Sequence, residues 1–117
     1  MTTRMPTIKT QVLHEFSDRL AWARLDLARS VVTTDAELET LAAQVSRASV
    51  EEPSIGTVGE LLARLDGEAR HRLEEIDAAQ ARLAAGVFGM CERCQQTIPL
   101  AQLRVTPTAR RCPECAA

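Results

Sequence analysis

Four cysteines in two closely spaced pairs are the feature that most constrains the fold of this chain. Cys91 and Cys94 form one CxxC pair, Cys112 and Cys115 form the other, and 17 residues separate the two pairs. Within a pair this spacing lets both thiolates reach one cation, and the intervening loop is long enough to bring the pairs together. Four thiolates fill the tetrahedral shell of zinc and leave no position for water. The pattern therefore predicts one structural Zn²⁺ rather than a catalytic metal.

Other uses of four cysteines fit the sequence less well. Two disulfides would require an oxidising compartment, but residues 1–11 contain no apolar export segment. A thioredoxin-like redox pair needs a βαβ context that the sequence does not show. An iron–sulfur cluster also uses four cysteines and stays open, although the paired spacing with Pro113 favours zinc. Because no apolar run approaches about 18 residues, we expect a cytoplasmic protein that does not span a membrane.

Upstream of the cysteines the hydrophobic pattern is helical. Aromatic residues are only 3% of the chain, which favours helices packed through Ala and Leu over a β-sandwich. Apolar residues recur at steps of three and four positions, as on one face of a helix. A first series contains Leu13, Phe16, Leu20, Ala23, Leu27, Val31, Leu38, Leu41 and Val45, and a second contains Val58, Leu62, Leu65, Ala69, Leu73, Ile76 and Leu83.

These series predict a mainly α-helical fold in two parts. Residues 1–86 would form two arms packed as an antiparallel, coiled-coil-like helical hairpin, and residues 87–117 would form a small four-Cys zinc finger. Pro53 and Gly56 place the turn of the hairpin at residues 51–57.

Each arm contains a position that could interrupt it. Residues 31–34 are all β-branched, and Thr34 opens a capping-box sequence, so a kinked arm and two separate helices are both open. The second series runs through Gly59 and Gly67, each of which costs roughly 1 kcal/mol in a helix, and reaches a stop at Gly86.

The sequence also predicts the positions of the tryptophan, the two histidines and the apolar residues near the metal. Trp22 would pack against the opposite arm or the zinc module, with contact to a partner as the less favoured alternative, and His14 and His71 would be exposed helix residues. A small apolar cluster over the metal would consist of Phe88, Ile98, Leu100 and Leu103.

The C-terminal part carries a resemblance to a known family. The sequence GVFGMCERC at residues 86–94 is followed by Ile98-Pro99, Pro107 and the second CxxC pair, and is preceded by LEEIDAAQARL at residues 73–83. Over residues 73–115 this arrangement resembles the DksA/TraR family of C4 zinc-finger proteins. The resemblance implies a bacterial transcription factor, not an enzyme, that binds RNA polymerase in its secondary channel and modulates initiation. It implies no sequence-specific DNA binding.

The chain departs from the family pattern at two places. Well-known members carry an Asp-x-x-Asp-x-Ala tip, whereas the nearest acids here are Glu51 and Glu52. Basic residues that contact the alarmone ppGpp in the family are replaced by Thr106 and Ala116, which argues against ppGpp dependence. The candidate partner contacts are Glu51, Glu52, Ser54 and Thr57 in the turn, and Arg104, Arg110 and Arg111 on the finger.

Two other classes of function compete with this interpretation. A zinc-stapled coiled-coil adaptor would associate with itself or another protein through an apolar stripe of Leu20, Leu27, Leu62 and Leu65. A zinc ribbon would bind nucleic acid through the three finger arginines. The net charge of −2, from 14 basic and 16 acidic residues, argues against a chain that binds phosphates by excess positive charge. No nucleophile–base arrangement indicates an enzyme.

Overall fold

The computed structural model describes residues 8–47 and 57–116, and this part of the chain is mainly helical. Its helices are α1 (Thr10–Arg29), α2 (Asp35–Arg47), α3 (Thr57–Leu62), α4 (Gly67–Ala85), α5 (Leu100–Val105) and α6 (Pro113–Ala116). Within the described residues, β-type pairing is limited to one antiparallel bridge between Met90 and Thr97. The prediction of a mainly α-helical chain is confirmed. None of the helices described is both long and apolar enough to cross a membrane.

The chain packs as two compact units. One comprises Met1–Leu20 with Glu74–Ala117, and the other comprises Ala21–Leu73. Helices α1 and α4 therefore contribute residues to both units. The division proposed from the sequence, at residues 86 and 87, stays a prediction.

A break in the chain separates α1 from α2. Helix α1 ends at Arg29 and α2 begins at Asp35, so this region forms two helices rather than one kinked helix. Side chains cap the new helix, because the Glu37 N–H donates to Thr34 Oγ1 (3.1 Å) and the Thr33 N–H donates to Glu37 Oε1 (3.0 Å). The first bond is the N-cap half of a capping box, and the second reaches back to the N–H of the residue before the N-cap.

A second break separates α3 from α4 and differs from the continuous arm suggested by the apolar series. Helix α3 ends at Leu62, and Gly67 opens α4 with a φ of +55°. This left-handed conformation is strained for residues with a Cβ but not for glycine. Leu65, in the link, is still buried. The hydrophobic period therefore continues across a break in the helix that spacing alone does not reveal.

The unit of residues 21–73 has its own apolar core. Helix α2 packs against α3, and the buried side chains are Leu27, Ala28, Leu41, Val58, Leu61, Leu62, Leu65 and Leu73. Leu27, Leu62 and Leu65, with Leu20 of the other unit, are the stripe expected of a self-associating adaptor. Each of the four is at most 9% exposed, so this stripe is core rather than a free surface.

The other unit joins α1 and α4 to the cysteine-containing segment. Its buried side chains include Phe16, Leu20, Ile76, Ala79, Phe88, Ile98 and Leu103. The rings of Phe16 and Phe88 lie 5.1 Å apart, which links α1 to the segment just before Cys91. Of the predicted cluster, Phe88, Ile98 and Leu103 are buried and Leu100 is half-buried. The prediction that Trp22 packs against the opposite arm or the zinc module is wrong, because 53% of its surface is exposed.

Replacing Glu37 by Gln tests the ion pair between Glu37, in the first turn of α2, and Arg64, which follows α3. Arg64 donates two hydrogen bonds to the Glu37 carboxylate, and these, with the bond from the Thr33 N–H, lower the pKa of Glu37 from 4.5 to about 2. A carboxyl group whose pKa is lower in the folded state than in the unfolded state stabilises the fold at pH values above its unfolded pKa. This contribution is lost as the pH falls towards about 2. We therefore expect the stability of E37Q to fall less than that of the wild type as the pH is lowered from 4.5 to about 2.

Hydrogen–deuterium exchange of α2 and α3 peptides, at about pH 5 and about pH 3, measures this difference locally. Glu39→Gln, at an exposed position of the same helix, is the matched control. Equal acid sensitivity of E37Q and the wild type would contradict the role of the pair.

Candidate metal centre

A tight turn positions the first pair of cysteines. The Cys91 N–H donates to the Gln96 carbonyl (2.8 Å), the Gln95 N–H donates to the Cys91 carbonyl (2.9 Å), and Gln95 adopts a φ of +62°. The Cys94 N–H points at Cys91 Sγ (3.5 Å). These bonds fold the chain back within five residues and place both thiols on its inner side.

Glycine is required just before this turn. Gly89 has a φ of +85°, and a Cβ there would lie 2.6 Å from Ile8 Cδ1 and 3.4 Å from Leu103 Cδ1. The chain therefore enters the cysteine turn under direct cover of Ile8. A residue with a Cβ would be strained at this φ and would also have to displace the end of the Ile8 side chain.

A single helical turn positions the second pair. The N–H groups of Cys115 and Ala116 both donate to the Cys112 carbonyl, at 3.0 and 2.9 Å. Because residues three apart on a helical turn lie on the same side, the thiols of Cys112 and Cys115 face the same way. Pro113 occupies the first position of α6, where a missing N–H has no cost.

The two pairs meet as one cluster. The four Sγ atoms all lie within 4.8 Å of one another, and Cys94 Sγ is 3.6 Å from Cys112 Sγ. A tetrahedral zinc with Zn–S bonds of about 2.3 Å places its sulfurs about 3.8 Å apart, so the cluster has the dimensions of such a site. Cys91 and Cys112 are buried, and Cys94 and Cys115 are half-buried. The four cysteines are thus positioned to bind one metal ion.

The thiols also show why a cation suits this cluster. The Cys94 N–H donates to the Cys91 sulfur and helps to lower its pKa to about 6, which favours a thiolate there. In contrast, contact with Cys112 and burial raise the pKa of Cys115 to about 12. Several thiolates in such close contact repel one another without a neutralising charge. A divalent cation supplies that charge and allows all four sulfurs to ionise.

Ion pairs tie the metal centre to α4. Arg110 Nε donates to Glu75 Oε2 (2.7 Å), and its guanidinium also lies 3.7 Å from a Glu92 oxygen. Glu92 follows the first cysteine of the first pair, and its N–H donates to the Arg110 carbonyl (2.8 Å). The hydrogen bond from Arg110 to Glu75 raises the pKa of the arginine. Arg110 thus connects the first cysteine turn, the segment before Cys112 and α4.

Two residues of this region were not identified from the sequence. Glu75 pairs with a residue 35 positions away, and no local pattern indicates such a partner. Arg82 is partly buried beside Arg110, and burial lowers its pKa. Its guanidinium donates to the Thr108 carbonyl (3.4 Å), in the segment before Arg110. The position of Arg82 near the end of α4 gives no sequence signal of this contact.

The structure places only some of the predicted partner contacts. Glu51, Glu52 and Ser54 lie outside the described residues, and Thr57 is the first residue of α3. The finger arginines are engaged within the chain: Arg104 pairs with Glu15 (3.5 Å), Arg110 with Glu75 and Glu92, and Arg111 with Glu92 (3.5 Å). A role of these seven residues in binding a partner stays a prediction.

Comparison with known proteins identifies the C-terminal module. Residues 86–117 match the family model of the prokaryotic dksA/traR C4-type zinc finger. An uncharacterized protein of Aquifex aeolicus (strain VF5) is 40% identical over 57 residues, which is 49% of this chain but only 39% of that protein. The solved structure of transcription factor DksA2 from Pseudomonas aeruginosa is similar with a TM-score of 0.58 and 26% identity. That similarity covers 92% of this chain and 82% of the other.

These comparisons confirm the prediction of a four-cysteine zinc finger with one structural zinc. The family match covers residues 86–117, the segment that contains the four cysteines whose sulfur atoms lie together in the structure. The fold similarity extends beyond the finger into the helical part of the chain.

Replacing Cys112 by Ser tests the ligand set. Loss of one thiolate opens the tetrahedral shell and weakens a binding free energy that is on the order of 10 kcal/mol in structural zinc sites. We expect C112S to lose most of its bound zinc and the order of residues 87–116, while the helices of residues 21–73 persist.

Zinc content by mass spectrometry and helicity by far-UV circular dichroism measure the two effects. Ala116→Ser introduces the same hydroxyl at an exposed position of α6 and serves as control. Unchanged zinc content in C112S would contradict the assignment.

Proposed function

We propose that this chain, which carries the C4-type zinc finger of the DksA/TraR family, is a regulator of transcription that binds RNA polymerase. The observation that carries the proposal is the fold similarity to transcription factor DksA2, which spans 92% of the chain and therefore includes the helical part as well as the finger. A zinc finger alone would fit many partners. The finger together with these helices fits this class of regulator.

The charges on the finger support a protein partner over nucleic acid. Binding to phosphates depends on basic residues that are free to replace counterions. Arg104, Arg110 and Arg111 each lie within ion-pair distance of a carboxylate of the same chain. These contacts lower the net positive potential of the finger and favour the polymerase proposal over the nucleic-acid ribbon.

In finer detail, the proposed site of action is the secondary channel of the polymerase. The segment between α2 and α3 would be the part that reaches towards the catalytic centre. It contains Glu51 and Glu52, and carboxylates near a catalytic Mg²⁺ can change its electrostatic environment. The effect would be a change in initiation without sequence-specific contact to DNA. The cytoplasm, where polymerase is found in bacteria, would be its location.

The role proposed for zinc is structural rather than catalytic. All four cysteines of the chain belong to the metal centre, so none is left over as a nucleophile. Four sulfur ligands complete the shell of zinc and leave no position for a reacting water. The chain's own contribution would be to hold the finger on α1 through Phe88 and on α4 through the Glu75–Arg110 pair.

Binding of the zinc-loaded protein to core RNA polymerase tests the proposal. We expect saturable binding that a DksA-type factor of the secondary channel displaces, because the two would occupy the same site. In the same assay E51Q/E52Q should bind normally but lose most of its effect on the lifetime of open promoter complexes. Glu39→Gln, another acid-to-amide change in the helical part, is the matched control. Binding that the competitor does not displace would contradict the proposed site, and absence of binding would contradict the proposed function.

A further inference from the structure

An apolar groove lies on the surface of the unit of residues 21–73. It has a volume of about 330 Å³ and is lined by Trp22, Leu25, Asp26 and Arg29 of α1 and by Leu38, Leu41 and Ala42 of α2. Trp22 is 53% exposed and Leu38 is 44% exposed, although both are large apolar side chains. We call this surface the α1–α2 groove.

The groove is a second face of α1, distinct from its core face. Trp22, Leu25, Asp26 and Arg29 follow steps of three and four residues and therefore share one side of the helix. The core of this unit instead takes Leu27 and Ala28, which are buried. Helix α1 thus presents apolar surface on a side that its own unit does not cover.

Two opposite charges lie on this face one helical turn apart. Asp26 and Arg29 are both exposed, and neither side chain forms an ion pair or hydrogen bond within the part of the chain that the structure describes. The groove therefore offers one carboxylate and one guanidinium beside exposed apolar surface. A partner that covers it would need an apolar anchor and the two charges in reverse order.

We propose that the α1–α2 groove binds the same groove of a second copy of this chain. An interface with two-fold symmetry must be complementary to itself. A two-fold axis that runs between the two copies of α1, perpendicular to both and level with the midpoint of Asp26 and Arg29, brings the carboxylate of each copy to the guanidinium of the other. The same antiparallel arrangement places Trp22 of each copy opposite the link between α1 and α2 of the other. Tryptophan and arginine are among the residues most enriched at the positions that contribute most to binding at protein interfaces.

The size of the groove sets the strength of this dimer. Seven residues line it, whereas a stable complex uses roughly 20–30 residues on each side. The dimer is therefore weak and depends on concentration, so the monomer remains available at low concentration. The proposal does not depend on RNA polymerase and can fail or succeed separately.

Trp22 itself provides the first test, because it is the single tryptophan of the chain. Fluorescence of the zinc-loaded protein should shift to shorter wavelength as its concentration rises, in step with dimer formation in analytical ultracentrifugation. Trp22→Ala should weaken the dimer at least about tenfold. Val105→Ala changes another exposed apolar residue, 81% exposed and on α5, and should leave association unchanged. Equal association of W22A and the wild type, or a monomer at all concentrations, would overturn the proposal.

A charge exchange tests the symmetry. D26R places two arginines on the groove and R29D places two aspartates there, so each variant alone should associate at least about tenfold more weakly. A mixture of D26R with R29D should form a heterodimer, because opposite charges then face each other across the interface. Unchanged helicity in circular dichroism would show that both variants fold. Self-association that neither substitution weakens, or a mixture of the two variants that stays monomeric, would overturn the two-fold arrangement.

Discussion

The requirement that four sulfur atoms meet in one shell organises the C-terminal part of this protein. Two short segments, separated by 17 residues, must face each other with their thiols within 4.8 Å. The tight turn at Gln95, the single helical turn of α6 and the bond from Glu92 to the Arg110 carbonyl all serve that approach. Phe88 then connects the finger to Phe16 of α1. A segment this short buries little apolar surface, so the metal supplies much of its folding free energy.

Charge has a structural role around this centre. The finger arginines, which suggest a binding patch when seen in sequence, are within reach of acids on α1, on α4 and in the first cysteine turn. Arg110 bridges Glu75 and Glu92, so it joins the finger to the helix that precedes it. These pairs are partly exposed, and each is worth about 1 kcal/mol or less. Their main effect is to fix geometry and to reduce the attraction of the finger for phosphate.

The sequence predicted the metal centre well because cysteine spacing has few physical solutions. It also identified residues 31–34 as the place of a kink or a break, because β-branched residues and a capping box coincide there, but only the structure shows a break. The break before Gly67 was harder to foresee, because an apolar period of three to four continues through it and glycine is compatible with both outcomes. The Glu75–Arg110 pair spans 35 positions and has no local signature. Trp22 lies one residue from the apolar stripe at Ala23, and only packing shows that it faces a different side of α1.

The measurement that most directly tests the central claim is X-ray absorption at the zinc K edge on the purified, full-length chain. The account predicts one zinc per chain with four sulfur ligands at about 2.3 Å and no nitrogen or oxygen in the shell. It would be contradicted by a light-atom ligand, by fewer than four sulfurs, or by a protein that folds with its cysteines paired as disulfides and without zinc.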